Sequence, residues 1–255
     1  MPRITPLDPV SACPMSVILL PTSAGGEVTD ADRVFWGHFV ESLPEGSRLI
    51  DAGLNRHDSP GEGVLLSAAL EQAETPTVLV VPAGAPWRRA DLARGLGAKI
   101  DRAHMVVACR PESPRSLGAR LLHGLVRTVA RVVLAIDIGP APGWPGWRRW
   151  LERQAGWWLF GVRGADPFSP CRMFRREIGR LAAIQSRGAM VHGELSAKAN
   201  FLGALIDEEP PTGSLPPRDA SADPRWWPDF SLVWSDPKFA GPLSATPDAG
   251  KGMVP

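Results

Sequence analysis

The 255-residue chain contains no tyrosine and only three cysteines, Cys13, Cys109 and Cys171. An odd number of widely spaced cysteines argues against a disulfide framework and favours a reducing compartment. The formal net charge is only +1, which gives no indication of a nucleic-acid partner. The sequence also lacks any uncharged apolar run of about 18 residues, so it predicts no transmembrane helix. We therefore expect a cytoplasmic protein that binds no nucleic acid.

Apolar runs and amphipathic segments alternate along the first part of the chain. With 44% hydrophobic and 22% charged residues, the composition is that of a folded globular protein. Apolar runs predict buried strands at 16–20, 47–53, 76–84 and 103–110. Helical spacing predicts helices at 30–43 (capped by Asp30), 61–73, 89–100, 115–134, 146–160 and 191–204, while 171–184 mixes strand and helix. This alternation predicts an α/β fold with a mostly parallel sheet and helices on both faces.

Composition also predicts the division of the chain. We expect an N-terminal extension at 1–15, one domain over 16–210, and a tail rich in proline and glycine at 211–255. The tail contains "RWWPDFSLVW" at 225–234, whose tryptophans predict a segment that docks on another surface.

The segment 165–210 contains several short motifs in a fixed order. They are Asp166, "CRMFRRE" at 171–177, "QSRG" at 185–188, Glu194-Leu195 followed by Lys198-Ala199, and Gly203 to Pro210. In this order they resemble the C-terminal half of family-2 glycosyltransferases, in particular polyprenyl-phosphate sugar transferases similar to dolichol-phosphate mannosyltransferase. The resemblance implies a GT-A-like nucleotide-diphospho-sugar transferase fold. It also implies inverting transfer of a sugar from a nucleotide sugar to a polyprenyl phosphate or related lipid-phosphate acceptor.

The N-terminal half departs from that family at the metal site. In the family, the strand corresponding to 77–81 ends in Asp-x-Asp, which holds Mg²⁺ or Mn²⁺ against the donor diphosphate. Here the strand is followed by Pro82-Ala83-Gly84, which offers no carboxylate. No cofactor is therefore assigned, and Mg²⁺ or Mn²⁺ would need ligands that differ from the family motif. The alternative is a catalytically inactive pseudo-glycosyltransferase that acts as a binding or assembly partner.

Arginines are the main candidates for substrate binding. Charge that develops on a leaving diphosphate is stabilised by a metal ion or by Arg and Lys side chains. The resemblance implies a catalytic pair, Asp166 and Glu194, and a substrate-binding set: Arg110, Arg172, Arg175, Arg176, Asp51 and Gln185. We expect the guanidinium of Arg172 to point into the cleft at the carboxyl ends of the strands, near Asp166 or Glu194.

Several of these residues also have a purely structural interpretation. Glu194 lies four residues before Lys198 and could form a salt bridge along a helix. Asp51 could cap the end of a strand, and Arg175 and Arg176 could form a solvated helix start. His192 is best read as an ordinary residue at a helix start.

The segment 144–160 is rich in tryptophan. Trp147, Trp150 and Trp158 fall on one helical stripe with basic residues beside it, a pattern typical of the membrane interface. It predicts peripheral association with the inner face of a membrane. The alternative is a helix whose tryptophans pack against the sheet.

Overall fold

The fold was examined in a computed structural model of the chain. It describes residues 13–21, 27–53, 61–109, 166–210 and 225–240, together with 157, 160–162 and 164. The predicted helices at 115–134 and 146–160 fall almost entirely outside these described residues, so nothing is concluded about them.

One sheet of six strands forms the centre of the described structure. Its strands are Met15–Leu20 (β1), Arg48–Asp51 (β2), Thr77–Pro82 (β3), Met105–Ala108 (β4), Arg172–Arg175 (β5) and Ile206–Glu209 (β6). They are arranged in the order β2-β1-β3-β5-β4-β6. β5 runs antiparallel to its two neighbours, and the other pairs of adjacent strands are parallel. The prediction of a mostly parallel sheet is confirmed.

Six helices surround this sheet in the described part of the chain. They are Asp30–Glu41 (α1), Glu62–Gln72 (α2), Ala90–Ile100 (α3), Arg176–Ala182 (α4), Val191–Phe201 (α5) and Trp226–Ser235 (α6). A short 3-10 helix, Ala85–Trp87, follows β3.

Side chains that alternate along the strands build a core on each face of the sheet. Val17 and Leu19 face α1 and α3, where they pack with Trp36 and Leu96 among others. Ile18 faces the other way, into a second core formed with α2, α4 and α5. Strands that are buried on both faces read as continuous apolar runs, which is why the sequence pattern located them.

The start of α1 corrects one detail of the sequence analysis. We expected Asp30 to cap this helix, but the N-cap is Thr29. The Thr29 hydroxyl accepts a hydrogen bond from the Asp32 N–H at 3.2 Å, and Asp32 Oδ2 accepts one from the Thr29 N–H at 3.0 Å. This reciprocal pair is a capping box, and it fixes the Asp32 side chain at the first turn.

Helix α6 packs against the domain although it lies beyond residue 210. Trp226 and Val233 are buried in a third apolar cluster that includes Phe168 and Met190. Asp229 Oδ2 accepts hydrogen bonds from the backbone N–H groups of residues 187 and 188, at 3.0 and 2.7 Å. The segment 225–234 therefore docks on its own chain. No helix in the described residues is both long and apolar enough to span a membrane.

Candidate active site

We refer to the region outside the carboxyl ends of β1, β2 and β3 as the crevice. The chain leaves β1 toward α1 on one face of the sheet and leaves β2 toward α2 on the other. Open α/β sheets bind ligands outside the carboxyl ends of their strands where neighbouring connections diverge in this way. We therefore expect a binding site beside the residues that follow β1, β2 and β3.

Asp51, at the end of β2, is held by an arginine. Its Oδ2 accepts a hydrogen bond from Arg33 Nε at 2.7 Å, and its Oδ1 accepts one from the Gly53 N–H at 2.8 Å. The hydrogen bonds that Arg33 donates to Asp51 and to Asp30 raise the pKa of Arg33 above its usual value. Asp51 thus has the strand-end capping geometry that the sequence analysis weighed, and its role in substrate binding stays a prediction.

A second arginine–aspartate pair lies at the end of β3. Arg88 Nε donates to Asp32 Oδ1 at 2.7 Å, and the Gly84 N–H donates to the same oxygen at 3.3 Å. Asp32 is only 1% exposed. Burial raises the pKa of Asp32, but the hydrogen bonds from Thr29 and Arg88 outweigh it and hold the pKa below its usual value. Asp32 is therefore ionised and fixed in place at neutral pH.

The residues at the end of β3 do not fit the divalent metal ion that the family resemblance implies. The backbone passes through Pro82, Ala83 and Gly84, none of which has an oxygen ligand in its side chain. The neighbouring carboxylate, Asp32, is already bonded to Arg88 and to backbone N–H groups. Within the described residues, no group of three or more His, Cys, Asp or Glu side chains is arranged to hold a metal ion.

Arg172 begins β5 at the same edge of the sheet, but its side chain turns inward. It is 0% exposed. Nη1 donates to the His192 carbonyl at 2.6 Å and to Ser196 Oγ at 3.1 Å, and Nη2 donates to the carbonyls of Pro167 and Ser169. The expectation that this guanidinium points into an open cleft is wrong. Arg172 instead ties the turn at 166–169 to the start of α5.

Arg175 and Arg176 lie at the opposite edge of the sheet. Because β5 is antiparallel, its four residues carry the chain from the carboxyl end of β3 to the amino end, where Arg175 pairs with Thr77. Arg176 Nη1 donates to the Glu74 carbonyl at 3.2 Å. The three arginines of "CRMFRRE" therefore do not form one cluster, and a single ligand in the crevice would not meet all of them.

Glu194 is fully buried in α5. Its carboxylate accepts the backbone N–H groups of Gln185 and Ser186, both at 2.8 Å, and pairs with Lys198 Nζ at 2.6 Å. Burial lowers the pKa of Lys198, and the charge of Glu194 opposes that effect. The salt bridge weighed in the sequence analysis is present. The catalytic role of Glu194 stays a prediction.

Gln185 contacts the segment that follows α6, and it also lines a cavity next to α2. Its side-chain amide donates to the Asp236 carbonyl at 2.9 Å, and its oxygen accepts from Lys198 Nζ and from the Lys238 N–H. Gln185 thus joins α5 to the segment after α6. Its assignment to substrate binding stays a prediction.

The remaining predicted residues lie before β5. Asp166 is buried, and its backbone N–H donates to Glu208 Oε1 at 3.4 Å while its carbonyl accepts from the Ser169 N–H at 3.1 Å. Burial raises the pKa of Cys171 to about 12, opposed by the charge of Arg172, which suits a packing residue and not a nucleophile. Arg110 lies outside the described residues.

A buried hydrogen bond joins the starts of α2 and α5. His192 Nε2 and Glu62 Oε2 are 3.0 Å apart, and both side chains are buried. His192 lies at the start of α5, as expected, and it also links two elements that are distant in sequence.

No motif of the sequence singled out Arg33, Asp32 or Arg88. The signal for Arg88 was the pair of arginines in "PAGAPWRR", directly after the clearest predicted strand. These arginines lie close to the position at which the family has its Asp-x-Asp metal motif, so a cationic side chain there could have been considered in place of the metal ion. Asp32 was hidden because an acidic residue in the first turn of a helix has an adequate local explanation.

Comparison with solved structures identifies the fold. Glucosyl-3-phosphoglycerate synthase from Mycobacterium tuberculosis, in complex with Mn²⁺, uridine diphosphate and phosphoglyceric acid, is similar with a TM-score of 0.52 at 14% identity. The match covers 90% of this chain and 81% of that one. The same enzyme with Mn²⁺, uridine-diphosphate-glucose and phosphoglyceric acid gives a TM-score of 0.50 at 12% identity, over 88% and 79% of the two chains.

The class that the fold defines is therefore the GT-A type of α/β architecture. At such low identity the likeness establishes the fold alone. No protein-family model matches the chain, and no curated protein matches it. The predicted fold class is confirmed.

Proposed function

We propose that this protein is a glycosyltransferase that takes a sugar from a nucleotide sugar and attaches it to an acceptor that carries a phosphate. The observation that carries the proposal is the GT-A fold with two anchored arginines, Arg33 and Arg88, at the carboxyl ends of its parallel strands. Guanidinium groups match phosphate oxygens in charge and in geometry. The similar solved structures bind uridine diphosphate or uridine-diphosphate-glucose, which supports a nucleotide-sugar donor.

The acceptor we favour is a polyprenyl phosphate. In an inverting transfer, an acceptor oxygen forms a bond to the anomeric carbon while the bond from that carbon to the diphosphate breaks. A phosphate oxygen is already anionic and needs no strong general base, whereas a hydroxyl must lose a proton. The predicted catalytic carboxylates, Asp166 and Glu194, are both buried, which favours the anionic nucleophile. The similar solved structures contain phosphoglyceric acid, so a small phosphorylated acid is the acceptor to compare with a polyprenyl phosphate.

The alternative is a pseudo-glycosyltransferase that binds a ligand or a partner without turnover. It is favoured by the same loop after β3, Pro82 to Gly84, which supplies no carboxylate for a metal ion. The two proposals differ in whether product forms, not in whether a nucleotide binds.

A two-part experiment separates these functions. Calorimetric titration with UDP-, GDP- and dTDP-sugars, with and without Mn²⁺, measures donor binding. Mass spectrometry then detects glycosylated product with undecaprenyl phosphate in detergent or with 3-phosphoglycerate. Donor binding together with transfer to the lipid phosphate supports the favoured proposal. Transfer to 3-phosphoglycerate alone would mean that the acceptor is a small phosphorylated acid and not a polyprenyl phosphate. Binding without transfer supports the pseudoenzyme, while no binding of any nucleotide sugar contradicts both.

Peripheral membrane contact is a further part of this proposal. It rests on the tryptophan stripe at 144–160, most of which lies outside the described residues. Sedimentation with anionic liposomes tests it, with Trp147, Trp150 and Trp158 changed to serine. Release of a variant that stays folded supports contact through this segment, whereas unchanged sedimentation contradicts it.

A further inference from the structure

We infer that Arg88, held by Asp32 at the end of β3, binds the diphosphate of a nucleotide where a metal ion would otherwise bind it. The inference rests on the proposed function and deepens it, because it names the residue that would stabilise the leaving group. Arg88 was not among the arginines that the motifs of the C-terminal half suggested.

The backbone places Arg88 at the crevice. The Ala83 N–H donates to the Leu20 carbonyl at 2.9 Å, so the loop after β3 is tied to the end of β1. Gly84 has φ +116°, in the region that favours glycine, and turns the chain sharply out of the strand. The 3-10 helix Ala85–Trp87 then brings Arg88 back over this edge, and Trp87 is buried beneath it.

The guanidinium of Arg88 is fixed on one side and open on the other. Its hydrogen bond within the described residues is made by Nε, to Asp32. The side chain is 28% exposed, so its terminal nitrogens remain as donors toward solvent. A carboxylate that is itself buried and held by a capping box gives this guanidinium a fixed direction before any ligand arrives. Such fixed charge is what stabilises a developing anion most effectively.

The other arginines at this edge are more fully engaged. Arg33 binds Asp51 through Nε and Asp30 through Nη1. Arg89 binds Asp91 through Nε and Nη2. Arg88 is therefore the better donor of two parallel hydrogen bonds to phosphate oxygens. Because no carboxylate ligand is offered after β3, a guanidinium is the cation that this loop supplies.

The test compares UDP with uridine, because the difference between their affinities isolates the diphosphate. Arg88→Gln keeps a hydrogen-bond donor for Asp32 but removes the charge, whereas Arg88→Lys keeps the charge but loses the planar fork. Arg102→Ala is the matched control. Arg102 is 68% exposed, pairs with Asp207, and lies before β4 at the opposite edge of the sheet. Calorimetry in EDTA and in Mn²⁺ measures all four proteins, with circular dichroism to establish that each is folded.

We expect Arg88→Gln to weaken UDP binding about ten- to a hundredfold while uridine binding is unchanged, since a charge-assisted contact is lost. Arg88→Lys should restore part of the affinity, and Arg102→Ala should match the unaltered protein. Unchanged UDP affinity in Arg88→Gln overturns the inference and leaves the proposed function standing. A tenfold or larger gain from Mn²⁺ in the unaltered protein also overturns it. If the unaltered protein binds none of UDP, GDP and dTDP, both the inference and the proposed function are refuted.

Discussion

Changing Arg172 to alanine should lower the free energy of unfolding by more than it lowers the free energy of binding of any ligand. The guanidinium donates to the carbonyls of Pro167, Ser169 and His192 and to Ser196 Oγ. Alanine would leave these buried acceptors without that donor, and each hydrogen bond to a charged group contributes roughly 1.5–3 kcal/mol. Such contributions do not add fully, because water can enter the vacated space.

We therefore expect a loss of about 3–5 kcal/mol in the free energy of unfolding, at the upper end of what single substitutions cost. For a domain of this size it corresponds to a fall in Tm of about 10 °C. Urea denaturation followed by tryptophan fluorescence measures the loss. Arg102→Ala serves again as the control and should stay within about 0.5 kcal/mol, because its ion pair is exposed. A loss below about 1 kcal/mol for Arg172→Ala would refute the buried role.

Three further predictions concern packing and titration. Gly193→Ala should cost about 1–3 kcal/mol, because a Cβ there would lie 2.1 Å from a ring carbon of Phe168, whereas Gly97→Ala meets nothing within 4 Å and should be neutral or stabilising. Cys171 should resist a thiol reagent at pH 8 in the folded protein and react after denaturation, since burial raises its pKa to about 12. Asp32→Asn should lower the free energy of unfolding at pH 7 by about 1–3 kcal/mol. The folded pKa of Asp32 lies below its usual 3.8, so its contribution is present above that pH and is lost on acidification through the folded pKa.

Each of these has a result that would count against it. Equal stability of the Gly193→Ala and Gly97→Ala variants would mean that the Phe168 ring moves aside. Rapid modification of Cys171 in the native protein would mean that the chain next to the start of β5 opens readily. A gap between the Asp32→Asn variant and the unaltered protein that stays constant from pH 7 to about pH 2 would mean that the carboxylate charge is not what stabilises the fold.

The sheet was predictable because several of its strands can be recognised from short stretches of sequence. β1 and β3 are short apolar runs that end at a proline, and both are buried on two faces. Such a run has few alternatives in water other than a covered parallel strand. The mixed strand and helix pattern expected at 171–184 is also present, as β5 followed by α4, although the sequence did not locate the position of the change.

The sequence predicted the kind of chemistry at the candidate site, but it did not predict where its charged side chains would lie. The sequence indicated that arginine would carry the anion-binding chemistry, but its motifs did not single out Arg88, and the arginines they did single out do not share one position in the fold. Arg172 and Arg175 are three residues apart, yet the antiparallel direction of β5 puts them at opposite edges of the sheet. No local pattern reveals this direction, because it is set by pairing with β3 and β4, strands more than 60 residues earlier in the chain.

Sequence by itself thus determined the layered α/β architecture, since the burial of apolar runs depends on their own composition. Only the tertiary structure decided what each charged side chain does. Asp32 and Arg88 are 56 residues apart and meet because α1 and the loop after β3 converge at one edge of the sheet. Arg172 is buried because carbonyls of two separate segments converge on it. The physical reason is that a charge is stabilised by whatever surrounds it in space, and those surroundings exist only once the chain has folded.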